Sequence, residues 1–509
     1  MSEERELVQS YDVVVIGGGI NGAGIAADAS GRGLRVLLCE KDDLAQHTSS
    51  ASSKLIHGGL RYLEQGAFRL VRESLAEREV LLTKAPHLVQ PMRFIMPHQP
   101  HLRAAWLIRT GLFFYDHLAK RKSLLASKFV RFDPEHSPLN QNILQGFEYS
   151  DCCVDDARLV VLNAIQAREN GADILTLTHC IAAQRKTDHW LIRLENHTGE
   201  FEVHARAIVN AAGPWVASFI EQQIQEKTPH QLRLIQGSHI VLPKIYAEEH
   251  AYIFQNIDQR VIFAIPYLAK YTLIGTTDRE YAGEPDQVKI NEDEIQYLLE
   301  VSNRYFRKQH TSEHIVHSFS GLRALPNDAS DRPSTVTRDY RITLSVDQNR
   351  QLPLLSVFGG KLTTYRKLAE HVLDQLSEFF PKMGPNWTAN QVLPGAEQWT
   401  GLDELVAEIC QQLPHISPQL ARRWAQAYGT RIWQILRSAH STAQLGAMLA
   451  PDLYAAEVDY LVAYEWAKTS EDILWRRSKL GLQLGQTEVA RLELYLASLG
   501  GETKQTQIA

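Results

Sequence analysis

Tyr11–Glu40 reads YDVVVIGGGINGAGIAADASGRGLRVLLCE, and this stretch decides the fold. Tyr11 to Ile16 is a short β-branched apolar run, the pattern of a strand buried on both faces of a parallel sheet, and it leads directly into Gly17-Gly18-Gly19. The small-residue run from Asn21 to Ala29 suits a helix until Gly31 and Gly33 stop it, and Leu34 to Cys39 supplies a second strand. The product is a βαβ unit. Gly17-x-Gly19-x-x-Gly22 occupies its first turn, with Ile20 and Asn21 inside the motif. The first glycine permits the turn, the second lets backbone N–H groups approach a pyrophosphate, and the third lets helix pack on strand. Glu40 ends the second strand, where a carboxylate accepts hydrogen bonds from an adenosine ribose. That acid disfavours the 2′-phosphate of NADP and leaves FAD and NAD both compatible.

At 509 residues the chain exceeds the roughly 250 to 300 that one hydrophobic core sustains, so two or three domains are expected. A content of 44% hydrophobic and 22% charged residues excludes collagen, low-complexity disorder and a coiled-coil rod. The net charge of -6 supplies no global field for nucleic acid, and no nucleic-acid partner is expected. Five cysteines (Cys39, Cys152, Cys153, Cys180, Cys410) form neither a disulfide framework nor a zinc-like CxxC pair, so they read as reduced cytosolic thiols with no metal site. MSEERELVQS at the N-terminus lacks a secretory pattern, and no later run reaches the roughly 18 apolar residues of a membrane span.

Thr48 to Leu63 (TSSASSKLIHGGLRYL) has the Ser/Gly composition of a loop, residues 66–84 read as an amphipathic helix, and residues 101–131 mix aromatic, aliphatic and basic side chains. Further strands are expected at Ala207–Asn210, His239–Leu242, Arg260–Ile265 and Leu273–Gly275. Beyond about residue 385, helical spacing with Trp424, Trp433, Trp466 and Trp475 predicts an all-helical domain; within it Arg476, Arg477 and Lys479 read as a solvated basic face.

Gly17 to Ala26, SSASSKLIHGGLRYLE (Ser49 to Glu64), YSDCCVDDARLV (Tyr149 to Val160), NAAGPWV (Asn210 to Val216), GTTD (Gly275 to Asp278) and FGGKLTTYRKLAEH (Phe358 to His371) together resemble the aerobic, quinone-linked family of FAD-dependent glycerol-3-phosphate dehydrogenases. The resemblance implies a glutathione-reductase-like, Rossmann-like α/β FAD-binding domain with a D-amino-acid-oxidase-like mixed substrate domain, followed by the C-terminal helical domain. On this reading residues 1–385 interleave FAD elements (about 10–65, 150–220 and 350–385) with substrate-domain segments (about 66–149 and 221–349), and residues 386–509 are helical. It also implies FAD as cofactor, glycerol 3-phosphate as donor, dihydroxyacetone phosphate as product and a membrane quinone as acceptor. An oxygen-using oxidase of the same substrate, an amine oxidase of the same fold and a non-catalytic flavin-bound membrane scaffold are the competing readings.

Oxidising a phosphate ester at C2 needs cations for the phosphate, a base for the hydroxyl proton and positive character beside the flavin. Arg323 (SGLRALP), Arg338 (VTRDY) and Arg61 with Tyr62 (HGGLRYL) are substrate-binding candidates, the arginines read as loop residues. The turn Gly359-Gly360-Lys361-Leu362-Thr363 offers free N–H groups to a flavin edge, while Lys361 is also a catalytic and substrate candidate. His239, placed between Gly237-Ser238 and an apolar strand, is preferred as base over His57. Ser52, Ser53 and Lys54 are cofactor contacts on the serine-rich loop, and Ala212, Gly213 and Trp215 of NAAGPWV complete the FAD set. No second GxGxxG unit is present, so electrons leave without NAD(P). Trp106, Leu107, Leu112, Phe113 and Phe114, with Arg103, Arg109, Lys120, Arg121 and Lys122 beside them, have the composition of a peripheral contact with the cytoplasmic membrane face. A homodimer is expected, and the C-terminal helices are read either as its contact or as a cover over the substrate domain.

Overall fold

The computed structural model describes residues 8–64, 66–99, 102–258, 260–326, 339–349, 351–437 and 439–506. Two sheets organise everything before the C-terminal helices. The first runs, in spatial order, Arg341–Ser345, Leu354–Phe358, Gly199–Asn210, Gln9–Ile16, Val36–Cys39 and Asp173–Leu175. Its five strands from Leu354–Phe358 onward are parallel, and Arg341–Ser345 closes the edge in the antiparallel sense. Both faces of the central strands are buried, which is why they read as continuous apolar runs. Val13, Val15, Val36 and Leu38 face helices Ile20–Gly31, Asp156–Glu169 and Tyr365–Leu376, while Val14, Ile16 and Leu37 pack with Trp190, Ile192 and Phe219.

The second sheet is mixed and runs Arg279–Tyr281, Leu232–Pro243, Tyr271–Gly275, Val261–Tyr267, Ala251–Gln255, Val89–His98, Gln145–Val154 and Leu55–Ile56. Strand His317–Pro326 joins it along Leu232–Pro243. One face holds helix Glu292–Tyr305 through Leu298, Tyr305 and Phe306; the other holds Phe68–Lys84 and Ala105–His117 through Val71, Leu75, Ile108, Leu112 and Tyr115. The segments expected from sequence are present with shifted bounds: the strand expected at Leu34–Cys39 shortens to Val36–Cys39 and the helix at 66–84 to Phe68–Lys84, whereas Ala207–Asn210 lengthens to Gly199–Asn210 and His239–Leu242 to Leu232–Pro243. Sheet membership divides differently from the interleaving read from sequence: Leu55–Ile56 pairs with Cys152 and Cys153 in the second sheet, and Arg341–Ser345 belongs to the first. His239 lies within strand Leu232–Pro243 rather than before one, and Arg323 lies on strand His317–Pro326 rather than on a loop.

The C-terminal region packs helices Leu402–Gln412, Pro418–Tyr428, Ala455–Tyr464 and Gln486–Thr506, with their partners, around its own core of Trp424, Tyr428, Ile432 and Leu461. It is not purely helical, since Met448–Ala450 and Leu453–Tyr454 form a short antiparallel ladder. The basic cluster read as solvated is buried. Arg476 and Arg477 are 4% and 0% exposed, and both hold Asp43, on the loop that follows strand Val36–Cys39 of the first sheet, at 2.6 Å. Lys479 meets Asp155 at 3.2 Å, and Arg158 pairs with Glu465, each side chain wholly buried. These acids and bases lie too far apart in sequence for any local pattern to pair them. Among the described residues no helix is long and apolar enough to cross a membrane.

Asp43→Ala removes the carboxylate that Arg476 and Arg477 share and leaves both guanidinium groups buried. A loss of about 3–5 kcal/mol is expected in urea unfolding; a loss below about 1 kcal/mol would show that the clamp contributes little.

Candidate functional site

The two sheets meet along a cavity of about 560 Å³. Gly17, Gly19, Ile20, Asn21, Glu40, Ala212, Gly213 and Trp215 line its first-sheet end; Ser52, Ser53, His57, Tyr62, His239, Arg323 and the turn Gly359 to Thr363 line the remainder. Most residues singled out from sequence therefore converge on one space. Gly22, Lys54 and Arg61 do not line it, and Arg338 lies outside the described residues. Arg61 sits on the 3-10 turn Leu60–Leu63.

Backbone contact shapes the first-sheet end. A Cβ on Gly22 would stand 1.9 Å from the Gly17 carbonyl oxygen, and one on Gly17, whose φ is +109°, would stand 2.7 Å from the Ala211 carbonyl oxygen. Gly22 thus fixes the helix start against the strand and acts on the site without lining it. The Ile20 N–H donates to Ser49 Oγ at 2.9 Å. Glu40 is buried; its Oε2 accepts from the Gly18 N–H at 2.6 Å and its Oε1 from the Asp42 N–H at 2.9 Å. Burial pushes the Glu40 carboxyl above its usual range, while the Asp42 and Gly18 amides pull it back down. Around the mouth His47 bonds Asp42 at 2.7 Å and packs edge-on against Trp215, over which Lys41 sits at 4.1 Å.

Cations gather at the other end. Arg323 pairs with Asp278 and reaches Thr276 Oγ1 at 3.3 Å. The Lys361 ammonium lies 3.9 Å from the centre of the Tyr62 ring. His57 approaches Thr363 through its backbone N–H at 3.3 Å, and its ring meets Phe263 edge-on. The His239 ring stacks on Phe319 with centroids 4.9 Å apart, its Nε2 contacts Ser53 Oγ at 2.9 Å, and its Nδ1 is buried without a hydrogen-bond partner. Burial first, and then the Lys54 and Arg323 cations, hold the His239 pKa down at about 3. A neutral imidazole has one unprotonated nitrogen and so can act as a proton acceptor.

Lys54, read as a cofactor contact, is instead buried with its ammonium 2.8 Å from Asp156. Sequence reasoning also missed Ser49, Phe263, Thr276 and Asp278. Ser49 lay inside the serine-rich run and Thr276 and Asp278 inside GTTD; Phe263 carried no comparable mark.

The family model described as FAD dependent oxidoreductase matches residues 12–366, and that of the C-terminal domain of alpha-glycerophosphate oxidase matches residues 386–506. A glycerol-3-phosphate dehydrogenase of Pseudomonas aeruginosa is 59% identical over 97% of this chain and 96% of its own. The aerobic glycerol-3-phosphate dehydrogenase of Escherichia coli is 50% identical over 96% and 98%, and a D-erythritol 1-phosphate dehydrogenase of Brucella abortus 49% identical over 95% and 97%. Among solved structures, the glycerol-3-phosphate dehydrogenase of Bacillus halodurans complexed with FAD superposes with a TM-score of 0.73 at 25% identity, covering 99% of this chain and 95% of that one.

The residues present fit FAD. The glycine cradle admits backbone where any Cβ would intrude, Glu40 retains acceptor capacity for a ribose, and the buried Asn21 Oδ1 on the cavity wall has no protein partner. Gly360, with φ at +105°, holds the second glycine turn open beside Asn21.

Gly19→Val puts a branched side chain into the cradle, where even a Cβ would stand 3.0 Å from Ser49 Oγ. The purified variant is expected to be colourless, with FAD content below about a tenth of wild type, since each factor of ten is only about 1.4 kcal/mol. Normal flavin absorbance would contradict the placement.

Proposed function

The chain belongs to the glycerol-3-phosphate dehydrogenase branch of the FAD-dependent oxidoreductases, and from that premise we propose that it oxidises sn-glycerol 3-phosphate to dihydroxyacetone phosphate and delivers the electrons to a membrane quinone. The observation that carries the reading is the convergence of Arg323, Lys361 and the neutral His239 on one cavity with the dinucleotide cradle. Arg323, oriented by Asp278, grips the substrate phosphate, and Lys361 adds a second positive charge. Bound in the cradle, FAD supplies the acceptor for the hydride that leaves substrate C2. The C2 hydroxyl proton reaches His239 Nε2 through Ser53, whose hydroxyl gives its own hydrogen to that nitrogen as it accepts the one from the substrate. A dianionic phosphate against Arg323 offsets one of the two cations that depress the imidazole, so substrate binding raises the basicity of its own proton acceptor. The turn at Gly359 and Gly360 leads into the 3-10 turn Leu362–Thr364 and helix Tyr365–Leu376, and its N–H groups would favour the negative charge of reduced FAD bound in this cavity.

An exposed apolar surface supports quinone delivery at a membrane. Helix Ala105–His117 presents Trp106 and Phe113 at 71% and 57% exposure, joined by Leu107, Phe114 and, from the neighbouring helix, Phe68. Arg109, Lys120 and Lys122 are exposed nearby. A solvated aromatic patch with a basic rim suits the interface of anionic lipid. Leu112, read from sequence as part of this patch, is 2% exposed and belongs to the core beneath it.

Arg323→Ala is expected to lower kcat/KM for glycerol 3-phosphate by about a hundredfold or more, the worth of two charged hydrogen bonds, with FAD content unchanged. Unchanged kcat/KM would remove this residue from the substrate site. With a soluble quinone present, wild-type enzyme should reduce quinone with negligible hydrogen peroxide; peroxide matching substrate turnover would identify an oxidase instead. The double variant Trp106→Glu with Phe113→Glu should lose at least about tenfold in binding to anionic vesicles while keeping its activity on soluble quinone. Undiminished vesicle binding would exclude this surface as the contact.

A further inference from the structure

Behind His239 lies a buried ion pair, neither member of which lines the cavity. Lys54 Nζ reaches both oxygens of Asp156, at 2.8 and 3.0 Å, and the Ser50 carbonyl at 2.9 Å. Lys54 is 7% exposed and Asp156 wholly buried. The second oxygen of Asp156 also accepts from Ser52 Oγ at 2.7 Å, and Ser52 Oγ in turn accepts the Lys54 N–H at 2.9 Å. These bonds close the loop Ser50 to Lys54 on itself at the point where Lys54 takes a left-handed φ of +57°. Ser53, held between Ser52 and Lys54, is the residue whose hydroxyl meets His239 Nε2. Lys54 also stands 5.2 Å from the ring centre of Phe319, the aromatic on which His239 stacks.

A buried pair of this kind contributes little net stability compared with an apolar replacement, so its presence asks for another role. We propose that Lys54 and Asp156 are positioning residues of the reaction: their ion pair fixes Ser53 against His239 and holds the Lys54 ammonium behind the imidazole. Burial alone would discharge both partners; their mutual pairing outweighs it, so Lys54 stays above the usual lysine range and Asp156 below the usual carboxylate range. The C-terminal region completes the arrangement, because Lys479 binds Asp155, the cap of the helix that Asp156 begins.

The charged groups around His239 are Lys54 from its own loop, Arg323 with its partner Asp278, Asp156 and Asp155 at the helix start, Lys479 on Asp155, and neighbouring His317. Removing the Lys54 charge takes away a cation that disfavours imidazolium, so the imidazole becomes more basic. This inference rests on His239 being the proton acceptor, and the experiment separates the two.

The double variant Lys54→Met with Asp156→Asn, purified as the full-length FAD-loaded protein, neutralises the pair at similar volume. The acid limb of kcat/KM against pH should move up, because the lost Lys54 cation acts on the imidazole more strongly than the lost Asp156 carboxylate, which acts in the opposite sense, with KM for glycerol 3-phosphate at pH 8 and FAD content near wild type. His239→Asn should lose at least a hundredfold in kcat without losing FAD. An unmoved acid limb in the double variant, beside a disabled His239→Asn, overturns the positioning role and leaves the acceptor in place. Wild-type kinetics in His239→Asn overturn the acceptor assignment and this inference with it. Should the double variant fail to retain FAD, Ser53→Ala decides: a tenfold or greater fall in kcat at constant KM and flavin content supports the proposal, and wild-type kcat refutes it.

Discussion

Close approach of backbone to backbone at the first turn is the constraint on which the rest of the structure depends. Gly22 lies against Gly17, and Gly17 against Ala211, at separations where no Cβ fits. That contact ties the end of strand Gln9–Ile16 to the end of strand Gly199–Asn210 and aims the start of helix Ile20–Gly31 into the cavity. Without it, neither the amide cradle nor the alignment of Glu40 beside Gly18 would exist, since Glu40 is held by the N–H of the same turn.

The second sheet serves a different purpose. Its long strands carry His239 and Arg323 to the cavity on rigid backbone, paired side by side along Leu232–Pro243 and His317–Pro326. Residues on strands hold their geometry better than residues on loops, which suits the roles proposed for His239 toward a proton and Arg323 toward a small anion. Buried ion pairs then join the parts. Asp43 with Arg476 and Arg477, Arg158 with Glu465, and Asp155 with Lys479 bind the C-terminal region to the nucleotide-side sheet. Each is costly to break from one side, so the region forms part of the folded unit that supports the site.

What was legible in the sequence was local. Strand, glycine turn, helix, strand and acid follow one another within Tyr11–Glu40, and their periodicities announce them. The turn at Gly359 and Gly360 was legible for the same reason. Pairs distant in sequence left no such mark: Lys54 and Asp156 are 102 positions apart, and Arg477 and Asp43 are 434. Hence Lys54 read as a cofactor contact and Arg477 as a solvated charge. Arg323 read as a loop residue because it lies outside any helical charge stripe, yet its strand is secured by pairing with Leu232–Pro243. Leu112 could have been assigned correctly, since Ile108, Leu112 and Tyr115 recur at helical spacing and all three are buried.

The central claim is that one cavity joins a flavin cradle to a site for an anionic polyol phosphate. Its most direct measurement is the visible spectrum of the purified FAD-loaded protein under anaerobic titration with glycerol 3-phosphate. The oxidised flavin bands are expected to disappear near stoichiometric substrate and to return on adding quinone. A spectrum unchanged by saturating glycerol 3-phosphate would contradict it.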